Sequence, residues 1–291
     1  MDDLAQLRRQ LSGLAESHLG PQFAARVLSL SRPAIRLIRG PAGPAAATSS
    51  RLGGDPVTAA GAQWPCWHGE PLNFLALIDL AELSPFDDSG LLPRAGFLNF
   101  FYDATGQGAW GFDPAQSAAW RVVYAPAGEV QPLPAPPGTE TFPAHGLRAA
   151  PTITMPGWEE EALADLPRED RERLDGLDEA WRAVVGPAGE WPGGEPRHQV
   201  GGWPALVQNS FWLEAQLASN GIYVGNPDGY RDPRAERLRA GAASWRLLLQ
   251  LDTDDDLGWM WGDVGRLYFT IRQEDLAARD FGRAWMVLQC G

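Results

Sequence analysis

The sequence contains no lysine; all 24 of its basic residues are arginine. That absence excludes a Gly-Lys-Ser/Thr phosphate loop, Schiff-base chemistry and Ser–Lys catalysis, each of which needs an amine on a flexible stem. Cysteine is nearly absent too. Cys66 and Cys290 lie far apart in the chain, so a disulfide framework is not expected and a reducing compartment is favoured. Zinc is disfavoured, because Cys66 and His68 would have to recruit two more ligands from His18, His145, His198 and Cys290. No apolar run approaches the ~20 residues of a membrane span. The opening "MDDLAQLRRQ" lacks the apolar core of a leader peptide, and a cytoplasmic location is expected. Positive charge is also short: the formal net charge is -13. Such a chain repels nucleic-acid backbones and anionic membrane surfaces, and it would steer a basic partner toward itself.

What is present has the patterning of a folded domain. Leu4, Leu7, Leu11 and Leu14, then Phe23, Val27 and Leu28, recur at helical spacing on either side of Pro21, predicting two amphipathic helices over 2–32 and a brief strand at 34–39. Further strands are expected at 73–78, 96–103, 120–125, 245–251, 266–271 and 284–290. Asp79 and Glu82 stand in capping-box spacing, and Asn209 is placed to cap a helix over 210–219. Proline and glycine crowd 126–151, which reads as a surface connection. The charged stretch 159–185 is helix-prone and split by Pro167.

The two ends of this pattern echo each other. "RLGGDP" (51–56) answers "QVGGWP" (199–204), "NFLALIDL" (73–80) answers "RLLLQLDT" (246–253), "GFLNFFYD" (96–103) answers "GRLYFTIR" (265–272), and "WRVVYA" (120–125) answers "WMVLQC" (285–290). The alignment sets Asp79 against Asp252 and Ser50 against His198. The expected fold is α+β: two similar, mostly antiparallel β-sheet units from an internal duplication, with N-terminal and inserted helices. Residues 1–45 form an N-terminal helical segment packed on the main domain. Residues 46–291 hold the repeats (about 46–125 and 196–291), joined by the Pro/Gly-rich linker and charged helical insertion. Each glycine pair, followed by x-Pro, fits a tight turn with positive φ.

Several of these segments resemble the YwqG-like bacterial proteins, a family of unknown function. The resemblance rests on "HQVGGWP" with Gln208, "LEAQLASNG", "LLLQLDTD" and "MWGDVGRLYFTIRQEDL", and in the first half on "RLGGDP", "PLNFLALIDLAEL" and "WGFDP". It covers roughly residues 50–291 and implies a fold and a site rather than a reaction. The family's polar positions fall on His198, Gln208, Gln250, Asp252, Asp254 and Asp263. The additional carboxylates of "TDDD" depart from the pattern and leave the charge of such a site open.

Asp252, with a counterpart in the first half, reads as an acceptor for backbone N–H groups, whereas Asp254, Asp255, Asp256 and Asp263 have none. The run matches a calcium loop only superficially, because the glycine and closing glutamate are missing at the required offsets. Trp261 either seals a core edge or stacks on a ligand. The expected function is a non-enzymatic binding module. Its acidic polar pocket in the second repeat is lined by His198, Gln208, Gln250, Asp252, Asp254, Trp261 and Asp263, and it takes a small polar ligand or a basic protein segment, as immunity proteins do. No metal or cofactor is assigned. The alternative is a hydrolase in which Asp252, Asp254 or Asp263 holds a divalent ion or acts as general base with His198.

Overall fold

In the computed structural model, which describes residues 2–43, 46, 48–186 and 196–291, ten strands make one sheet. They are β1 (Arg32–Ala42), β2 (Arg51–Leu52), β3 (Asn73–Asp79), β4 (Phe97–Tyr102), β5 (Trp120–Ala125), β6 (His145–Thr154), β7 (Gln199–Val200), β8 (Trp245–Asp252), β9 (Arg266–Arg272) and β10 (Trp285–Gln289). The spatial order is β10-β9-β8-β7-β1-β6-β2-β3-β4-β5, and every neighbouring pair is antiparallel. Read from either edge, the sheet shows a three-strand meander, a two-residue strand and one long central strand. The expected pair of sheet units is therefore continuous. β1, which precedes the first meander, pairs with β7 of the second, while β6 pairs with β2.

The twist of so long a sheet curls it nearly into a barrel. Trp120 of β5 and Trp285 of β10 meet with ring centroids 4.9 Å apart, and Trp120 Nε1 donates to the Ala284 carbonyl at 3.1 Å. Side chains rather than a ladder thus close the two edges. The loop after β4 protects β10 further, since Trp110 O accepts from Leu288 N and Gly111 O from Trp285 Nε1. Inside lies the main core, to which Leu75, Phe100 and Trp120 contribute from one meander and Leu249, Phe269 and Met286 from the other. Phe100 and Phe269 pack edge-on across it at 5.1 Å. Each such side chain removed from water contributes about 1.5–3 kcal/mol.

The helices form a separate layer. α1 (Asp2–Leu19) and α2 (Pro21–Leu30), divided at Pro21 as the periodicity predicts, pack with α3 (Arg168–Val185) around Leu11, Val27, Ile153, Leu177 and Trp181. Trp181 Nε1 donates to the Ile153 carbonyl at 2.7 Å, tying α3 to β6. Pro167 immediately precedes α3, where its missing N–H costs nothing.

Three local expectations change. The stretch 126–151, expected as a surface connection, contributes most of β6, a central strand. Pro151 is tolerated because β6 meets β2 only at His145 and Gly146, so beyond them one edge carries no ladder to break. Asn209 does not cap the following helix; α4 (Trp212–Ala218) starts at Trp212 with no side-chain cap, and the Asn209 carbonyl accepts from Gln289 Nε2. Asp79 does cap its helical turn, accepting from Ala81 N at 2.8 Å, but Glu82 accepts from Ser50 N instead of closing the box. The glycine pairs behave as expected: Gly53, Gly54, Gly201 and Gly202 all lie at φ of 66–74°. A side chain at Gly202 would collide with Thr154 and Ala34, so steric space demands glycine as well.

Candidate functional site

His198 sits at the start of the short strand β7, where its carbonyl accepts from Leu37 N of β1 at 2.9 Å. Its Nδ1 accepts from the Asp252 backbone N–H at 3.1 Å, which leaves the ring proton on Nε2. Nε2 in turn donates to Asp254 Oδ2 at 3.1 Å. The same oxygen receives Arg39 Nε at 2.7 Å, and Oδ1 receives Asp256 N at 3.2 Å. Burial pushes the Asp254 carboxyl up, but the hydrogen bond from His198 and the charge and hydrogen bond of Arg39 more than reverse this and hold it below the ordinary carboxylate range. Arg39 also reaches Asp256 on the surface. Each oxygen of Asp254 is thereby occupied.

Asp252 and Gln250 share the outer face of β8 by two-residue alternation, as the sequence implies. Asp252 accepts Arg266 Nε at 2.8 Å and Arg197 N at 2.8 Å. Burial disfavours the charge on Arg266, yet Asp252 and Tyr268 overcome it and raise the guanidinium pKa. Gln250 accepts from Ala205 N at 2.9 Å and donates to Arg197 O at 2.6 Å, while Ala205 O takes Arg266 Nη1 at 2.9 Å and Tyr268 Oη at 2.8 Å. The loop after Gly201–Gly202 is thus stapled onto the sheet.

The seven expected site residues consequently do different things. His198, Gln250, Asp252 and Asp254 converge, but they are buried and bonded to one another or to backbone rather than lining an open acidic pocket. Gln208 is exposed and anchors the chain end through Nε2 to Cys290 O at 2.7 Å. Trp261 is 1 % exposed, packed against Trp259 and Tyr102 with Nε1 on Asp252 O, so its ring belongs to the core. Asp263 is exposed in the turn before β9, and its carbonyl accepts from Gly291 N at 3.0 Å. Among the described residues, no group of three or more His, Cys, Asp or Glu side chains is arranged to hold a metal ion.

Beside this network lies a cavity of about 660 Å³ between α3 and the outer face of the central strands. Its wall includes Arg36 and Arg39 from β1, Asp178, Glu179 and Arg182 from α3, and Arg197 and His198 before β7. Of the expected site residues only His198 reaches it. The arginines were missed because they come from three distant segments. The signal that could have found two of them is in "RPAIRLIRGPA", where arginines interrupt a run otherwise suited to burial in a central strand.

The chain belongs to the DUF1963 family, a domain of unknown function, whose family model matches residues 50–290. The match leaves α1, α2 and β1 outside it. No curated protein matches the chain. No helix among the described residues is long and apolar enough to cross a membrane.

Proposed function

We propose that the chain is a binding protein rather than an enzyme, and that it holds a small polar ligand in the cavity beside His198. The observation that carries this reading is the state of the polar residues. The acceptor positions of His198, Asp252 and Asp254 are taken up by protein donors, as in a scaffold, while the adjacent cavity is of the size that small-molecule sites have. A concave site of this kind favours a small ligand over the basic protein segment of an immunity-type complex. Within its family we read the chain as a YwqG-like bacterial cytosolic protein built from a duplicated sheet unit. The matched hydrogen bonds around Ser50 and His198, and around Val57 and Ala205, support that descent.

The test is a thermal-melt screen of the full chain against small polar metabolites, repeated on Ala183→Trp. Ala183 is an exposed residue of α3 on the cavity wall, so the new ring intrudes on the space without disturbing the core. A ligand at ~100 times its Kd adds about 2.7 kcal/mol to wild-type stability, and the variant loses that gain while melting normally alone. A screen with no stabilising compound, or with gains unchanged in the variant, removes the cavity from the account.

A further inference from the structure

Resting on that reading, we infer that the cavity is built for an oxyanion, a phosphate or carboxylate carried by a small molecule, held by Arg182 and Arg197. The chain as a whole is strongly acidic, at -13, yet among the described residues four arginines and two carboxylates, Asp178 and Glu179, line this space. Arg39 is already committed to Asp254 and Asp256. Arg182 and Arg197 instead share one carboxylate. Asp178 Oδ2 lies 2.7 Å from Arg197 Nη2 and 3.3 Å from Arg182 Nε. The Arg182 Nε–H is buried and not aligned for a hydrogen bond at that distance. Two forked donors around one acceptor side chain leave N–H groups to spare, and planar bidentate capture of an oxyanion is what the guanidinium fork does best. Asp178 is 44 % exposed at the side chain, so an incoming anion can displace it toward water.

The carboxylate of Asp178 is therefore a competitor for the ligand, and the two partners make opposite predictions. Calorimetric titration of the full chain uses inorganic phosphate and malonate as probes, with glucose and tetramethylammonium as neutral and cationic controls. Phosphate or malonate should bind and the controls should not. Arg182→Gln should weaken binding about 5- to 10-fold, and Asp178→Asn should tighten it by a similar factor. Both residues are partly exposed on α3, and an unchanged melting temperature verifies that each variant folds. A shift of both variants in the same direction, or anion binding that neither alters, overturns the inference. Binding of glucose or the cation but not of the anions overturns the charge assignment and leaves the cavity as a ligand site. No binding of any probe, together with a blank metabolite screen, overturns both.

Discussion

In the first half of the sheet the amide of Asp79 donates to Ser50 Oγ at 2.9 Å; in the second, the amide of Asp252 donates to His198 Nδ1 at 3.1 Å. The same backbone need is met by a hydroxyl on one side and an imidazole on the other. The two acceptors differ in reach. His198 has a second nitrogen on the far side of its ring, which passes the chain of contacts on to Asp254 and Arg39. The loops after the glycine pairs show the same contrast. Val57 N and O are both held by the amide of Asn99, at 3.0 and 2.9 Å. Ala205 N and O are held by three side chains, Gln250, Arg266 and Tyr268. Around Asn99 the first half is otherwise apolar, with Leu77, Phe97 and Phe101 packed together. Where Leu77 and Phe97 stand in the first half, Gln250 and Arg266 stand in the second, and a buried guanidinium then requires Asp252. One staple is neutral and cheap to desolvate, and the other is ionic and fails badly if any member is lost.

The largest expected effect separates the two aspartates. Asp252→Ala strands Arg266 as an unpaired buried charge and should cost about 3–5 kcal/mol, whereas Asp79→Ala loses a helix cap worth about 1 kcal/mol. Urea unfolding of both variants measures the gap, and equal costs would break the comparison. Next comes Glu160, which accepts from two second-half side chains, Ser210 Oγ and Trp212 Nε1. Burial pushes its carboxyl up to about 7 despite those donors and the nearby charge of Arg32. Because the folded protein holds this proton more tightly than the unfolded chain, the group's contribution is greatest below pH ~4.5 and is lost as pH rises through about 7. The accumulated loss is about 3 kcal/mol. Burial pushes the Glu214 carboxyl up to about 7 as well. Glu160→Gln should therefore reduce the slope of the stability profile between these limits without abolishing it, and a variant slope equal to the wild type's would refute it.

A smaller effect, about 2 kcal/mol, is expected for Gln250→Leu, which copies the first-half residue but leaves Ala205 N–H and Arg197 C=O without their partners. Hydrogen exchange should show the loop after Gly202 loosened. Asp263→Asn should change stability by less than about 0.5 kcal/mol, as for any exposed site without partners in the network. A larger loss would mean that Asp263 joins the second-half network after all.

Periodicity exposed most of the strands and both N-terminal helices, because each answers to a local rule: two-residue alternation, helical spacing, or a break at Pro21. β6 escaped it. Its stretch carries Pro151 and alanines, and only its pairing along β1, from Arg32↔Thr154 onward, makes it a strand. The polar residues were legible as a set but not as a state. Sequence places Gln250 and Asp252 on one face of β8, yet it carries no information on whether that face meets water. Arg266, Tyr268 and the loop at Ala205 cover it, and all three arrive from other segments.

By itself the sequence determined the acidic charge, the absence of lysine chemistry, the glycine turns and the faces of the individual strands, since these depend on composition and on neighbours within a few residues. Only the tertiary structure decided that β1 and β6 would exchange partners between the halves, that Asp252 and Asp254 would be spent inside the protein, and that arginines from β1, α3 and the approach to β7 would gather around one cavity. Several of these contacts join residues well over a hundred positions apart, as Arg39 and Asp254 or Arg32 and Thr154 are. Their geometry comes from how the sheet curls and which side chains compete for each donor, and no local pattern records that.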